Sequence, residues 1–183
     1  MNNNELTEHL LQHKQTISIA ESCTGGYISH IITSKNGSSK YFSGSIVAYS
    51  NNVKENILGV NKNDIIKYGA VSKQVVEQMA SGVRQKLNSD FSIATSGIAG
   101  PDGGSKEKPV GTIWIAVSSK NGTISKMFSL NGTRQENIKQ SSYEALELLK
   151  ESLFFWFSLN LMSILTIIAM KAHTGTEALS VSK

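Results

Sequence analysis

Apolar positions at Leu6 and Leu10, with His13 following, keep helical spacing between Asn4 and Lys14, and they predict a short amphipathic helix. Thr16–Ala20 then alternates polar and apolar as a strand does. It runs into the turn Thr24-Gly25-Gly26, after which Tyr27–Ile32 resumes a helical pattern. Gly44–Tyr49 reads as a buried strand, and Asn51–Leu58 as a short helix stopped by Gly59. Ser72 caps a helix that carries Val75, Val76, Met79 and Val83 on one face, and Asp90–Thr95 is the next strand.

That strand opens into a loop from Gly97 to Pro109, rich in glycine and holding both prolines of the chain. Thr112–Val117 and Ile124–Phe128 flank Asn121-Gly122, a strong hairpin signal that predicts an antiparallel pair. A last helix starts near Arg134, with Ile138, Ala145, Leu146 and Leu149 on its apolar side. Helices alternating with strands, plus one hairpin, predict a single three-layer α/β domain over residues 1–152, with a mixed and mostly parallel sheet flanked by helices. Residues 153–183 form an atypical apolar helix and a polar tail. Residues 153–170 are uncharged, yet 18 helical residues cover only about 27 Å of a hydrocarbon core of about 30 Å. The expectation is a helix docked on the domain or on a second subunit, with a membrane anchor as the alternative.

Composition narrows the chemistry. The 183 residues suit one core, and the lone Cys23 excludes an intrachain disulfide. Four scattered histidines give no zinc-ligand spacing, so neither a metal nor another cofactor is expected. A net charge of +4, without basic runs interleaved by aromatics, argues against a nucleic-acid partner and leaves small anions as natural ligands. The start, Met1-Asn2-Asn3-Asn4-Glu5, lacks the features of a signal peptide, which predicts a cytoplasmic protein. Cys23 has no histidine near it in a recognisable pattern and reads as a buried thiol, while His9 and His13 read as a surface pair. A strand, a Gly-Gly turn and a helix form a plausible anion cradle, since free N–H groups converge at a helix start. The Ser96–Gly104 loop stands at a second strand end, and two such loops favour a shared crevice beyond the strand ends.

Four segments together carry a resemblance: Ala20–Gly26; Gly37-Ser38-Ser39 leading to Tyr49-Ser50-Asn51 and Lys54; Gly97–Gly104; and Lys108-Pro109-Val110-Gly111. In order and spacing they resemble the CinA C-terminal domain family over residues 4–150. The resemblance implies a nicotinamide mononucleotide deamidase, releasing nicotinic acid mononucleotide and ammonia in pyridine nucleotide recycling. A metal-free Ser, Tyr and Lys set would match Ser39, Tyr49 and Lys54. Ser39 would attack the carboxamide, Lys54 would be its base if burial or a nearby cation lowers its pKa, and Tyr49 would relay a proton or orient the serine. Thr24, Gly25 and Gly26 would suit the 5′-phosphate, and Gly97, Ala99 and Gly100 the ribose or pyridine. Arg134 would pair with phosphate or brace a subunit interface, and Glu21 would hold Lys54, hold a ribose hydroxyl or simply end its strand. A small phosphorylated nucleotide substrate and a homodimer are the expected partners. A non-catalytic nucleotide-binding or interaction module, linked to competence or DNA damage, is the alternative, and a Lys54 amine far from the Ser39 hydroxyl with no pocket between them would favour it. The chain departs from the family at Phe154-Phe155-Trp156-Phe157, where members normally have closed.

Overall fold

The computed structural model describes the backbone of residues 4–177 and the side chains of residues 5–155. Its first helix, α1 (Asn4–Gln12), leads into β1 (Ile17–Glu21), and the Gly25-Gly26 turn leads into α2 (Tyr27–Thr33). A single 3-10 turn, Ser38–Lys40, precedes β2 (Phe42–Val47). Three helices follow: α3 (Asn51–Asn56), α4 (Lys62–Tyr68) and α5 (Lys73–Lys86). Then come β3 (Phe91–Gly97), β4 (Thr112–Ser119), β5 (Gly122–Ser129) and α6 (Arg134–Glu177). The periodicity did not single out α4, which has only seven residues and starts from an Asn61 side chain accepting the Asn63 N–H at 2.8 Å.

The five strands lie in the order β2-β1-β3-β4-β5. β1 pairs in parallel with β2 and β3, whereas β3–β4 and β4–β5 are antiparallel. The sheet is thus mixed, as its hairpin signal requires, with parallel and antiparallel pairings equal in number.

Period-two alternation gives the two faces of the sheet different sizes. Ala20, Ala94 and Ala116 are cross-strand neighbours and share a buried cluster with Val75, Val76, Met79 and Val83 of α5. Small residues bring α5 close: Ser92 Oγ donates to the Ala80 carbonyl at 2.7 Å, and a Cβ on Gly82 would lie 1.9 Å from the Leu58 carbonyl oxygen. Ile17, Ile19, Ile93, Ile113 and Ile115 point the other way and are fully buried. On that side, Leu6 of α1, Ile32 of α2 and Leu146 of α6 surround one small gap beside Ile17. The layers are therefore α5, the sheet, and α1, α2 and the start of α6.

The chain divides into two compact units, residues 1–150 and 151–183. Because α6 runs to Glu177, the uncharged run 153–170 is helical. The choice between a docked helix and a membrane anchor turns on side chains from residue 156 onward, which lie outside the described residues. Among the described residues no helix is long and apolar enough to cross a membrane.

Candidate functional site

The chain leaves β1 for β2 on one side and reaches β3 on the other only after α3, α4 and α5, so the connections diverge around β1. Such a switch point opens a crevice beyond the carboxyl ends of the strands. Glu21, Ala48 and Gly97 all lie at that edge.

Ser22 is the first residue past β1. Its N–H donates to the Thr95 carbonyl at 3.1 Å, and its carbonyl accepts the Gly25 N–H at 3.2 Å. The turn is tight because Gly25 and Gly26 adopt φ of 61° and 103°, a region where a side chain is strained. Thr24 and Thr95 join their hydroxyls at 2.8 Å, fastening the turn to β3. The N–H groups of Cys23 and Thr24 make no main-chain hydrogen bond among the described residues.

Lys54 reaches this turn from α3. The β1–β2 ladder extends one step past β2, with the Ala48 N–H donating to the Glu21 carbonyl at 2.7 Å. Ser50 then caps α3 by accepting the Val53 N–H at 3.3 Å, and the short helix folds back with Lys54 facing inward. Lys54 is 2% exposed. Its Nζ donates to the Ala48 carbonyl at 2.8 Å and to Ser22 Oγ at 3.1 Å. Among the described residues no carboxylate pairs with it. Burial therefore lowers its pKa below the ordinary lysine value. The neighbouring Cys23 thiol is pushed up to about 12, chiefly by burial, which keeps it protonated and unreactive.

A cleft of about 610 Å³ opens beside the turn that follows Ser22; Cys23 and Thr24 line it, whereas Ser22 and Lys54 are buried and do not. One wall is the turn at residues 23–26 with Tyr27 and His30, and the other is Tyr49 with Arg134, Gln135, Ile138 and Lys139. Arg134 spans its mouth, donating from Nη2 to Tyr49 Oη at 2.8 Å and from Nη1 to the Gly100 carbonyl at 2.7 Å.

The structure places four of the groups named from sequence apart from the arrangement expected. Ser39 lies in the exposed 3-10 turn before β2, whereas Tyr49 and Lys54 follow that strand. Six residues of strand at about 3.3 Å each set it roughly 20 Å away, at the opposite edge of the sheet. Glu21 ends β1, one of the three readings open to it, and faces neither Lys54 nor the cleft. Its fully buried carboxylate accepts the N–H groups of Gly26, Ile28 and Ser29 at 2.9, 3.2 and 2.9 Å, together with the Ser29 hydroxyl. The N–H groups at the start of α2 are consequently occupied from within, and Thr24-Gly25-Gly26 lines the cleft without offering a free helix terminus to a phosphate. Gly97, Ala99 and Gly100 serve the scaffold: none lines the cleft, a Cβ on Gly97 would meet Ile113 Cδ1 at 2.4 Å, and Asn137 Nδ2 holds the Ala99 carbonyl at 3.0 Å. Arg134 and Tyr49 stand together at the cleft as described.

Sequence reasoning passed over Ser22. Its signal was its position, directly after a strand and before a glycine turn into a helix, where a serine is presented at the top of a sheet.

The sequence model of the CinA C-terminal domain matches residues 2–153. A CinA-like protein of Amoebophilus asiaticus is 47% identical over 150 residues, covering 81% of this chain and 36% of that protein. One from Fervidobacterium nodosum is 50% identical over 146 residues, covering 80% and 36%. The chain thus spans about a third of the length of the curated relatives it matches. The crystal structure of competence/damage inducible protein CihA from Agrobacterium tumefaciens superposes with a TM-score of 0.80 at 35% identity, covering 81% of this chain and 92% of that one. That of the competence damage-inducible protein A (ComA) from Klebsiella pneumoniae gives 0.81 at 30% identity, covering 84% and 96%.

Proposed function

The chain belongs to the CinA C-terminal domain family, and from that premise we propose that it is an amidohydrolase that converts nicotinamide mononucleotide to nicotinic acid mononucleotide and ammonia, with Ser22 as nucleophile and Lys54 as base. The observation that carries this reading is the buried Lys54 amine, 3.1 Å from Ser22 Oγ and unpaired with any described carboxylate. A fully desolvated lysine without a counter-ion is unfavourable for folding and is useful as a general base, because burial brings its pKa toward the working range.

In the neutral form Lys54 Nζ accepts the Ser22 hydroxyl proton as Oγ attacks the carboxamide carbon. The oxyanion that forms would face the N–H groups of Cys23 and Thr24, neither of which makes a main-chain hydrogen bond among the described residues. The protonated Lys54 then returns its proton to the departing nitrogen, ammonia leaves, and the acyl group stays on Ser22 as an ester. Water, deprotonated by Lys54, attacks that ester; the acid is released and Ser22 recovers its proton. Tyr49, held at the cleft mouth by Arg134, would orient the pyridine ring or its amide. Among the described residues, Ser22 Oγ is the hydroxyl that bonds the Lys54 amine.

The wide separation of Lys54 and Ser39 favours a binding module only as long as Ser39 is the nucleophile considered. Such a module would have no use for a buried, unpaired ammonium. Ammonia release from nicotinamide mononucleotide, with Ser22→Ala, Lys54→Ala and Ser39→Ala compared, tests the reading. We expect Ser22→Ala and Lys54→Ala each to lose more than about a thousandfold in kcat, the double variant to lose little more, and Ser39→Ala to stay within about twofold. Turnover that survives Ser22→Ala and fails in Ser39→Ala would reverse the assignment.

A further inference from the structure

Once the start of α2 is occupied by Glu21, the cleft needs another seat for an anionic group. We propose that Lys139 and His30 form that seat, taking the phosphomonoester end of the substrate at the part of the cleft remote from Ser22. This rests on reading the cleft as the substrate site. Three basic residues line it, His30, Arg134 and Lys139, and no Asp or Glu does. Among the described residues none of the three forms an ion pair. A concave surface lined by one sign of charge concentrates counter-charged ligands.

The cleft over α5 makes the contrast. It is of similar size, about 540 Å³, but its titratable lining residues are Asp64 and Glu77, without Lys, Arg or His. An anion is repelled there.

Placement along the helices then divides the work. Arg134 is already engaged with Tyr49 and the Gly100 carbonyl at the edge where Ser22 lies. Lys139 lies five residues farther along α6, about 7.5 Å at the helical rise, and His30 is one turn into α2 from Tyr27. Both helices begin at the reacting edge, so a ligand with its amide at Ser22 would lay its sugar past Tyr49 and bring its phosphate between Lys139 and His30. Both residues are exposed, and the His30 ring stands 6.1 Å from that of Tyr27, which lines the same cleft.

Calorimetric titration in a Ser22→Ala background, which prevents turnover, tests this with nicotinamide mononucleotide, the phosphate-free nicotinamide riboside, and inorganic phosphate as competitor. Lys139→Gln and His30→Gln should each weaken the mononucleotide about tenfold and the pair should weaken it further, while riboside affinity stays within twofold. Inorganic phosphate should compete with the mononucleotide before these substitutions and lose that competition after them. Unchanged mononucleotide affinity in the double variant would overturn the proposal, as would equal weakening of riboside and mononucleotide, or no binding of the mononucleotide to the Ser22→Ala chain. Failure of the amidase reading is distinguishable: a chain that binds mononucleotide through Lys139 and His30 yet releases no ammonia keeps the seat and loses the reaction. Ser22-dependent turnover with KM unchanged in both variants keeps the reaction and loses the seat.

Discussion

At the scale of single residues, Lys54 carries a conflict between stability and chemistry. Its lowered pKa means that the unfolded chain holds a proton there more tightly than the folded chain. Stability from this residue is therefore fully present above the unfolded lysine value of about 10.4, and it is lost as pH falls through the lower folded value. Below the unfolded value, burial of this amine is a burden on folding, offset in part by its bonds to Ala48 and Ser22. Lys54→Met should then stabilise the protein at pH 7 by on the order of 1 kcal/mol, with the gain shrinking toward pH 10, while turnover disappears. Thermal melts of both proteins at the two pH values check this, and equal midpoints at pH 7 would sink it. The same protonation makes kcat/KM of the unsubstituted chain rise with pH through the lowered Lys54 value. Lys54 was legible in the sequence as a candidate base only through the family resemblance, because an isolated helix lysine reads as solvated. Its burial depends on α3 folding back over Ala48.

At the scale of elements, the Glu21 carboxylate holds the first turn of α2. The strand, turn and helix were all legible from periodicity and glycine, but the partner of the helix's free N–H groups was not. Alternation along β1 sends Glu21 to the face of Ile17 and Ile19, under α2, and away from the face of Ala20, under α5. Which face α2 covers is a tertiary fact. Glu21→Ala removes a charged acceptor from three N–H groups and the Ser29 hydroxyl, and it should destabilise the fold by about 2–3 kcal/mol in urea unfolding. A loss below about 0.5 kcal/mol would show that water or the turn itself satisfies those groups. Since α2 forms one wall of the cleft, this variant should also raise KM more than it lowers kcat.

At the scale of the whole molecule, the sheet and every residue assigned to the site belong to the unit spanning residues 1–150. The family match ends at residue 153. A chain ending after Phe155 should accordingly keep kcat/KM within about twofold, measured as ammonia release; a loss beyond tenfold would make residues 156–183 part of the working enzyme. By itself the sequence determined the helices and strands other than α4, the mixed α/β sheet, the two glycine loops and the family, because periodicity, turn chemistry and motif spacing are local. The tertiary structure decided which serine meets Lys54. Ser22 and Lys54 are 32 positions apart in the chain, and they meet because the sheet order puts β1 beside β2 and α3 folds back over the shared edge. Ser39 is closer to Lys54 in sequence, yet an extended strand lies between them and carries it to the other end of the sheet. Spacing along a chain cannot distinguish a strand that separates two residues from a crossover that joins them.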